Sequence, residues 1–98
     1  MSVLKVTKDN FNDVKNSDKT VLLDFYADWC GPCKMLAPVL ESVANDIKVV
    51  KVNVDKHNDL ARKYGVMSIP CLILFDGCKE IKRNVGFIPE PKLKEFIK

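Results

Sequence analysis

The sequence predicts an α/β fold, with a central mixed five-stranded sheet flanked by four helices that cover both of its faces. Three observations lead there. Short apolar runs of strand character alternate along the chain with stretches whose apolar residues recur at helical spacing. Strands interleaved with helices need crossover connections, which make their strands parallel. The last two strand-like runs instead flank Asp76-Gly77, a hairpin signal that adds antiparallel strands.

Each element has its own warrant. VLKV (3–6) is a short strand. Thr7 caps a helix expected through about Asn16, with Phe11 and Val14 on one face. TVLLDFYA (20–27) is a strong strand. Leu36, Val39, Leu40 and Val43 form one apolar stripe, giving a helix from about Pro32 to Asn45. IKVVKVNVD (47–55) is the next strand, and Asn58 to Tyr64 a short helix stopped by Gly65. CLILF (71–75) and EIKRNV (80–85) make the hairpin. Pro89 and Pro91 precede Leu93, Phe96 and Ile97, which lie on a last amphipathic helix.

At 98 residues the chain is expected to be a single domain, 1–98, large enough to bury a core without staples. Its 47% hydrophobic and 30% charged composition is that of an ordinary globular protein. The net charge is +3, and the 16 Lys and Arg residues are dispersed rather than gathered with aromatics, which argues against nucleic acid as a partner. MSVLKVTKDN carries Lys and Asp and no long apolar run, so it does not read as a secretory signal. No apolar run reaches the length of a membrane span. A cytoplasmic, monomeric protein is expected. In that reducing compartment closely spaced cysteines are more often catalytic or metal-binding than structural.

The stretch ADWCGPCK (27–34) holds such a pair, Cys30 and Cys33. It falls between the second strand and the helix that follows, so Cys30 lies near a helix N-terminus and Pro32 in the first turn, where a missing N–H costs nothing. That end of a helix favours a thiolate over a thiol. The stabilisation reaches about 2 kcal/mol in favourable geometry, enough to ionise an appreciable fraction of a thiol at neutral pH. Two other readings stand beside a redox pair. As a staple, so small a loop would remove only about 2 kcal/mol of unfolded-state entropy. As a metal clip, the pair needs two more ligands; Cys71 and Cys78 are too widely spaced for the usual zinc knuckle, and the sole histidine, His57, reads as a surface residue near a helix start.

Two charges interrupt apolar strands. Asp24 sits within VLLDFY and Lys51 within VVKVNV. Strands covered on both faces should be nearly all apolar. A buried Asp is costly unless it is paired or protonated. If the two strands are neighbours, Asp24 and Lys51 share a site behind the cysteine loop; alternation alone would also explain Lys51.

FYADWCGPCK, with Asp24 ahead of it, Lys51 in the third strand, Ile69-Pro70 before the fourth and Gly86 after the fifth, resembles the thioredoxin family over essentially the whole chain. The resemblance implies a thioredoxin fold and a general protein disulfide reductase that cycles Cys30 and Cys33 between dithiol and disulfide. It implies that Cys30 is the exposed nucleophile and the more buried Cys33 the resolving thiol. Asp24 would transfer the proton, with Lys51 tuning it. Trp29, Gly31 and Pro32 would shape the rim, Pro70 would be a cis proline facing the disulfide, Ile69 would offer backbone to substrate, and Gly86 would leave room for it. The family further implies disulfide-containing protein substrates and a thioredoxin reductase, a flavoprotein using NADPH, as partner. There is no G-x-G-x-x-G, so the chain itself is expected to hold no cofactor.

Cys71 departs from the family, which more often has Thr after the proline. It reads as a small buried residue, or as a third thiol near Cys30. Cys78, after the turn, is expected to be exposed and to give some disulfide-linked dimer without reductant. An oxidase or isomerase of similar fold, and a non-catalytic binding subunit using the surface at Trp29, Ile69 and Pro70, remain as alternatives.

Overall fold

The computed structural model describes residues 4–5, 20–77 and 79–98. In chain order these form β1 (Leu4–Lys5), β2 (Thr20–Tyr26), α1 (Gly31–Val43), β3 (Lys48–Asn53), α2 (Asn58–Lys63), β4 (Cys71–Asp76), β5 (Lys79–Val85) and α3 (Glu90–Phe96). The helix expected over 7–16 and Cys78 lie outside the described residues, which hold three of the four expected helices.

The strands form one five-stranded sheet in the order β1-β3-β2-β4-β5. β3 is parallel to β1 and β2, while β4 is antiparallel to β2 and β5. The sheet is therefore mixed, as expected, and β2 is its centre. Alternation along the strands splits the core in two. Val21, Leu23 and Phe25 join Val52, Ile73 and Ala61 on the face that α2 covers. Leu22 joins Leu72, Leu36 and Leu40 of α1 and Leu93 of α3 on the other. Each fully buried side chain of this size contributes roughly 1.5–3 kcal/mol.

β5 is a sheet edge and its side chains are largely exposed. Lys79, Lys82 and Arg83 discourage a further strand from adding there. Arg83 also ties the edge to its surroundings, with both Glu80 carboxylate oxygens and the Tyr64 carbonyl accepting from it at 2.9 Å. Helix α1 continues through Pro38, which supplies no N–H to the carbonyl one turn earlier.

Candidate active site

Helix α1 starts one residue before Pro32, and its N-cap is Cys30 itself, in extended backbone. Cys30 Sγ accepts the Cys33 backbone N–H at 3.2 Å, the bond that Ser or Asp makes at most helix starts. Gly31 and Pro32 complete an exposed first turn. The cysteines are joined as a disulfide, with Cα atoms 5.2 Å apart.

One expectation is corrected here. Cys30 is not the more exposed thiol in this form: both cysteines are 4% exposed. Each sulfur shields the other, and Ala27, Tyr26, Val54 and Ile69 pack around the pair. What distinguishes the two is their surroundings. Cys30 caps the helix, whereas Cys33 lines a cleft of about 120 Å³ together with Tyr26, Asp28, Lys34 and Lys51.

The rim comes from four loops. Trp29 is 70% exposed, and its indole N–H donates to Asp55 Oδ2 at 2.9 Å. Asp55 is itself placed by Asn53, whose Oδ1 accepts the backbone N–H groups of Asp55 and Lys56. Ile69 packs on the cysteine cluster, and the Ile69–Pro70 bond is cis. The Pro70 carbonyl accepts the Gly86 N–H at 2.8 Å. Gly86 has φ +97°, a conformation that side-chain-bearing residues rarely adopt, and a Cβ built there meets nothing within 4 Å.

Asp24 is 1% exposed, on the central strand, and in register with Lys51 of β3. The two therefore share a face, the α1 side. Burial pushes the Asp24 carboxyl up to about 7, while the Lys51 charge pulls the other way. Asp24 Oδ1 has no hydrogen-bond partner. The Lys51 ammonium lies over the Tyr26 ring, 4.3 Å from its centroid.

Cys71 packs in the α2-side cluster with Phe25, Ile73 and Phe75, not with Cys30 and Cys33. Its burial raises the thiol pKa, with Arg83 opposing. That placement favours the small buried residue over the third redox thiol. Asp55, Asn53 and Arg83 were not singled out in the sequence. Trp29 and Tyr64, which Asp55 and Arg83 hold, lie 26 and 19 positions away; the Asn53 contact, a side chain capping its own turn, and the Arg83–Glu80 pair are local. Among the described residues no group of three or more His, Cys, Asp or Glu is placed to hold a metal ion, and no helix is long and apolar enough to cross a membrane.

A family model described as Thioredoxin matches residues 2–98. Thioredoxin of Bacillus subtilis (strain 168) is 43% identical over 101 residues, covering 99% of this chain and 96% of that protein. A bifunctional thioredoxin reductase/thioredoxin of Mycobacterium leprae (strain TN) is 52% identical over 80 residues, covering 78% of this chain and 18% of its own length. The structure of a mutant thioredoxin from Halobacterium salinarum NRC-1 superimposes with a TM-score of 0.91 at 42% identity, covering 98% of this chain and 88% of that one.

Proposed function

The chain belongs to the thioredoxin family, with Cys30 and Cys33 as the active-site pair of a protein-disulfide reductase, and we propose that Cys30 is the attacking thiol and Cys33 the resolving one. The Cys30 thiolate attacks one sulfur of a substrate disulfide, forms a mixed disulfide and expels the other substrate sulfur as thiolate. Cys33 gives its proton to Asp24, directly or through a water, and attacks Cys30 Sγ. The Cys30–Cys33 bond closes, the second substrate thiolate leaves, and two electrons have passed to the substrate.

The observation that carries this assignment is the cap. Cys30 Sγ sits at the N-terminus of α1 and accepts the Cys33 N–H, so the helix end and a fixed donor both favour charge on that sulfur. Cys33 instead faces the cleft that Lys51 lines, on the face of the sheet that carries Asp24. A carboxyl near pKa 7 is suited to take up and return a proton at neutral pH. Lys51 tunes it. Trp29, Gly31, Pro32, Ile69, Pro70 and Gly86 form the surface on which an extended substrate segment lies, with the Ile69 backbone as its pairing partner.

The electron donor we propose is a thioredoxin reductase, a flavoprotein drawing on NADPH. The Mycobacterium leprae relative, whose name joins the two activities, supports this. The chain would work as a cytoplasmic monomer, holding no cofactor of its own and meeting reductase and substrates as separate proteins.

The test is turnover of an inter-chain protein disulfide, with dithiothreitol recycling the enzyme. Wild type should be fast, Cys30→Ser and Cys33→Ser no faster than dithiothreitol alone, and only Cys33→Ser should accumulate a mixed disulfide. A mixed disulfide trapped by Cys30→Ser instead would reverse the two roles.

A further inference from the structure

Asp24 and Lys51 stand opposite each other on neighbouring parallel strands. Such strands lie about 4.8 Å apart, and same-face side chains meet across that gap. A lysine so placed has the reach to form an ion pair with the carboxylate. It does not do so here: the ion pairs among the described residues are Arg83–Glu80, Lys94–Glu90 and Lys98–Glu95. The Lys51 ammonium lies instead on the Tyr26 ring, 4.3 Å from its centroid, within the distance at which a ring face attracts a cation. Tyr26 follows Asp24 by two residues on the same strand, so its ring is on the same face, diagonal to Lys51.

We propose that Tyr26 is a positioning residue, whose ring face holds the Lys51 ammonium off the Asp24 carboxyl and so keeps that carboxyl able to exchange a proton. Three features converge on it. Asp24 Oδ1 is buried without a hydrogen-bond partner, as a group held in reserve for a transferable proton would be. Tyr26 and Lys51 both line the cleft that reaches Cys33, so both residues form part of its wall. The other charges on that cleft are Lys34 of α1 and Asp28 after β2, yet among the described residues the charge that shifts Asp24 is Lys51. Where the ammonium rests therefore decides how strongly the carboxyl is held ionised. Against the carboxyl, it would lock Asp24 as a carboxylate, a poor acceptor at neutral pH. On the ring, it still offsets part of the burial without closing the pair.

The inference rests on the reading of Asp24 as proton acceptor, and the experiment separates the two. The Asp24 side-chain carboxyl is titrated by ¹³C NMR in the oxidised protein, where Cys30 and Cys33 do not ionise. Tyr26→Leu removes the ring; its Asp24 midpoint should fall by about one pH unit or more, the ordinary effect of an opposite charge closing on a carboxylate. Tyr26→Phe keeps the ring face and should match wild type. A Tyr26→Leu midpoint that stays or rises overturns the proposal, as does an equal fall in Tyr26→Phe, which would assign the effect to the hydroxyl. If Tyr26→Leu does not fold, the unsubstituted protein decides. The ε-methylene protons of Lys51 should resonate upfield of ordinary lysine under the ring current, and ordinary values would overturn the placement. The acid limb of the kcat/KM profile should move with the midpoint in Tyr26→Leu. Should Asp24→Asn leave that profile unchanged, the proton role of Asp24 fails, while the carboxyl titration still decides what Tyr26 does.

Discussion

The indole N–H of Trp29 donates to Asp55 Oδ2 at 2.9 Å, joining the loop before α1 to the loop after β3. A large ring that is 70% exposed would otherwise sample several rotamers, and the bond holds it in one. Asp55→Ala should therefore raise KM for protein disulfides several-fold while leaving unfolding free energy within about 1 kcal/mol of wild type, since exposed polar contacts contribute little to stability. Trp29 is the sole tryptophan, so its fluorescence anisotropy reports the loosening directly. An unchanged KM with an unchanged anisotropy would show that the bond does not order the rim.

Asp24 makes stability depend on pH. Below about pH 4 the carboxyl is protonated in the folded and unfolded chain alike. As pH rises to about 7 the unfolded chain gives up this proton and the folded chain keeps it. The unfolded state then binds fewer protons, so the unfolding free energy falls as pH rises. Above about 7 the penalty is complete, on the order of 4 kcal/mol. Asp24→Asn should consequently be more stable than wild type at pH 8 by about 2–4 kcal/mol and much closer to it at pH 4. Urea unfolding at both pH values measures this; a gain of the same size at both would exclude the carboxyl charge as its source.

Cys30 caps α1, so its substitutions should differ in stability even where both abolish activity. Ser is a good N-cap and Ala is not. Under reducing conditions Cys30→Ser should exceed Cys30→Ala by about 1 kcal/mol in denaturant unfolding. Equal stabilities would mean that the cap bond contributes nothing to the helix.

Gly86 holds the carbonyl of Pro70 from a backbone conformation that suits only glycine. Gly86→Ala meets open space but a strained φ, and should cost about 1–2 kcal/mol in thermal or urea unfolding. Loosening the Pro70 segment should also raise KM more than it lowers kcat. A variant as stable as wild type would show that the segment adapts without strain.

Much of this architecture was legible in the sequence because strands covered on both faces are written as apolar runs. β2, β3 and β4 stand out for that reason, and so does Asp24, as the charge that interrupts one of them. Helices α1 and α2 begin and end within two residues of the spacing and breaker signals. Strand order was less legible, because apolar content does not say which neighbour a strand takes, and the nearness of Asp24 and Lys51 had to wait for the β2–β3 register. Contacts between distant loops, such as Trp29 with Asp55, leave no local pattern at all. Nor did the equal burial of Cys30 and Cys33, which arises from the bridge between them and the residues packed around it. Tyr26 read as one more strand aromatic, and only the position of the Lys51 ammonium distinguishes it.

The pairing of β2 with β3 also limits how the length of this chain can vary. Asp24 faces α1 only because it lies four positions after Thr20 along a strand whose side chains alternate. Losing or gaining one residue there would turn the carboxyl toward α2 and bring a phenylalanine or leucine to the α1 side. The hairpin at Asp76-Gly77 lies opposite Thr20, at the end of the sheet away from the cysteines, and has no such restriction. Insertions and deletions among relatives should therefore gather at that end, while the spacing from Thr20 to Cys33 stays constant.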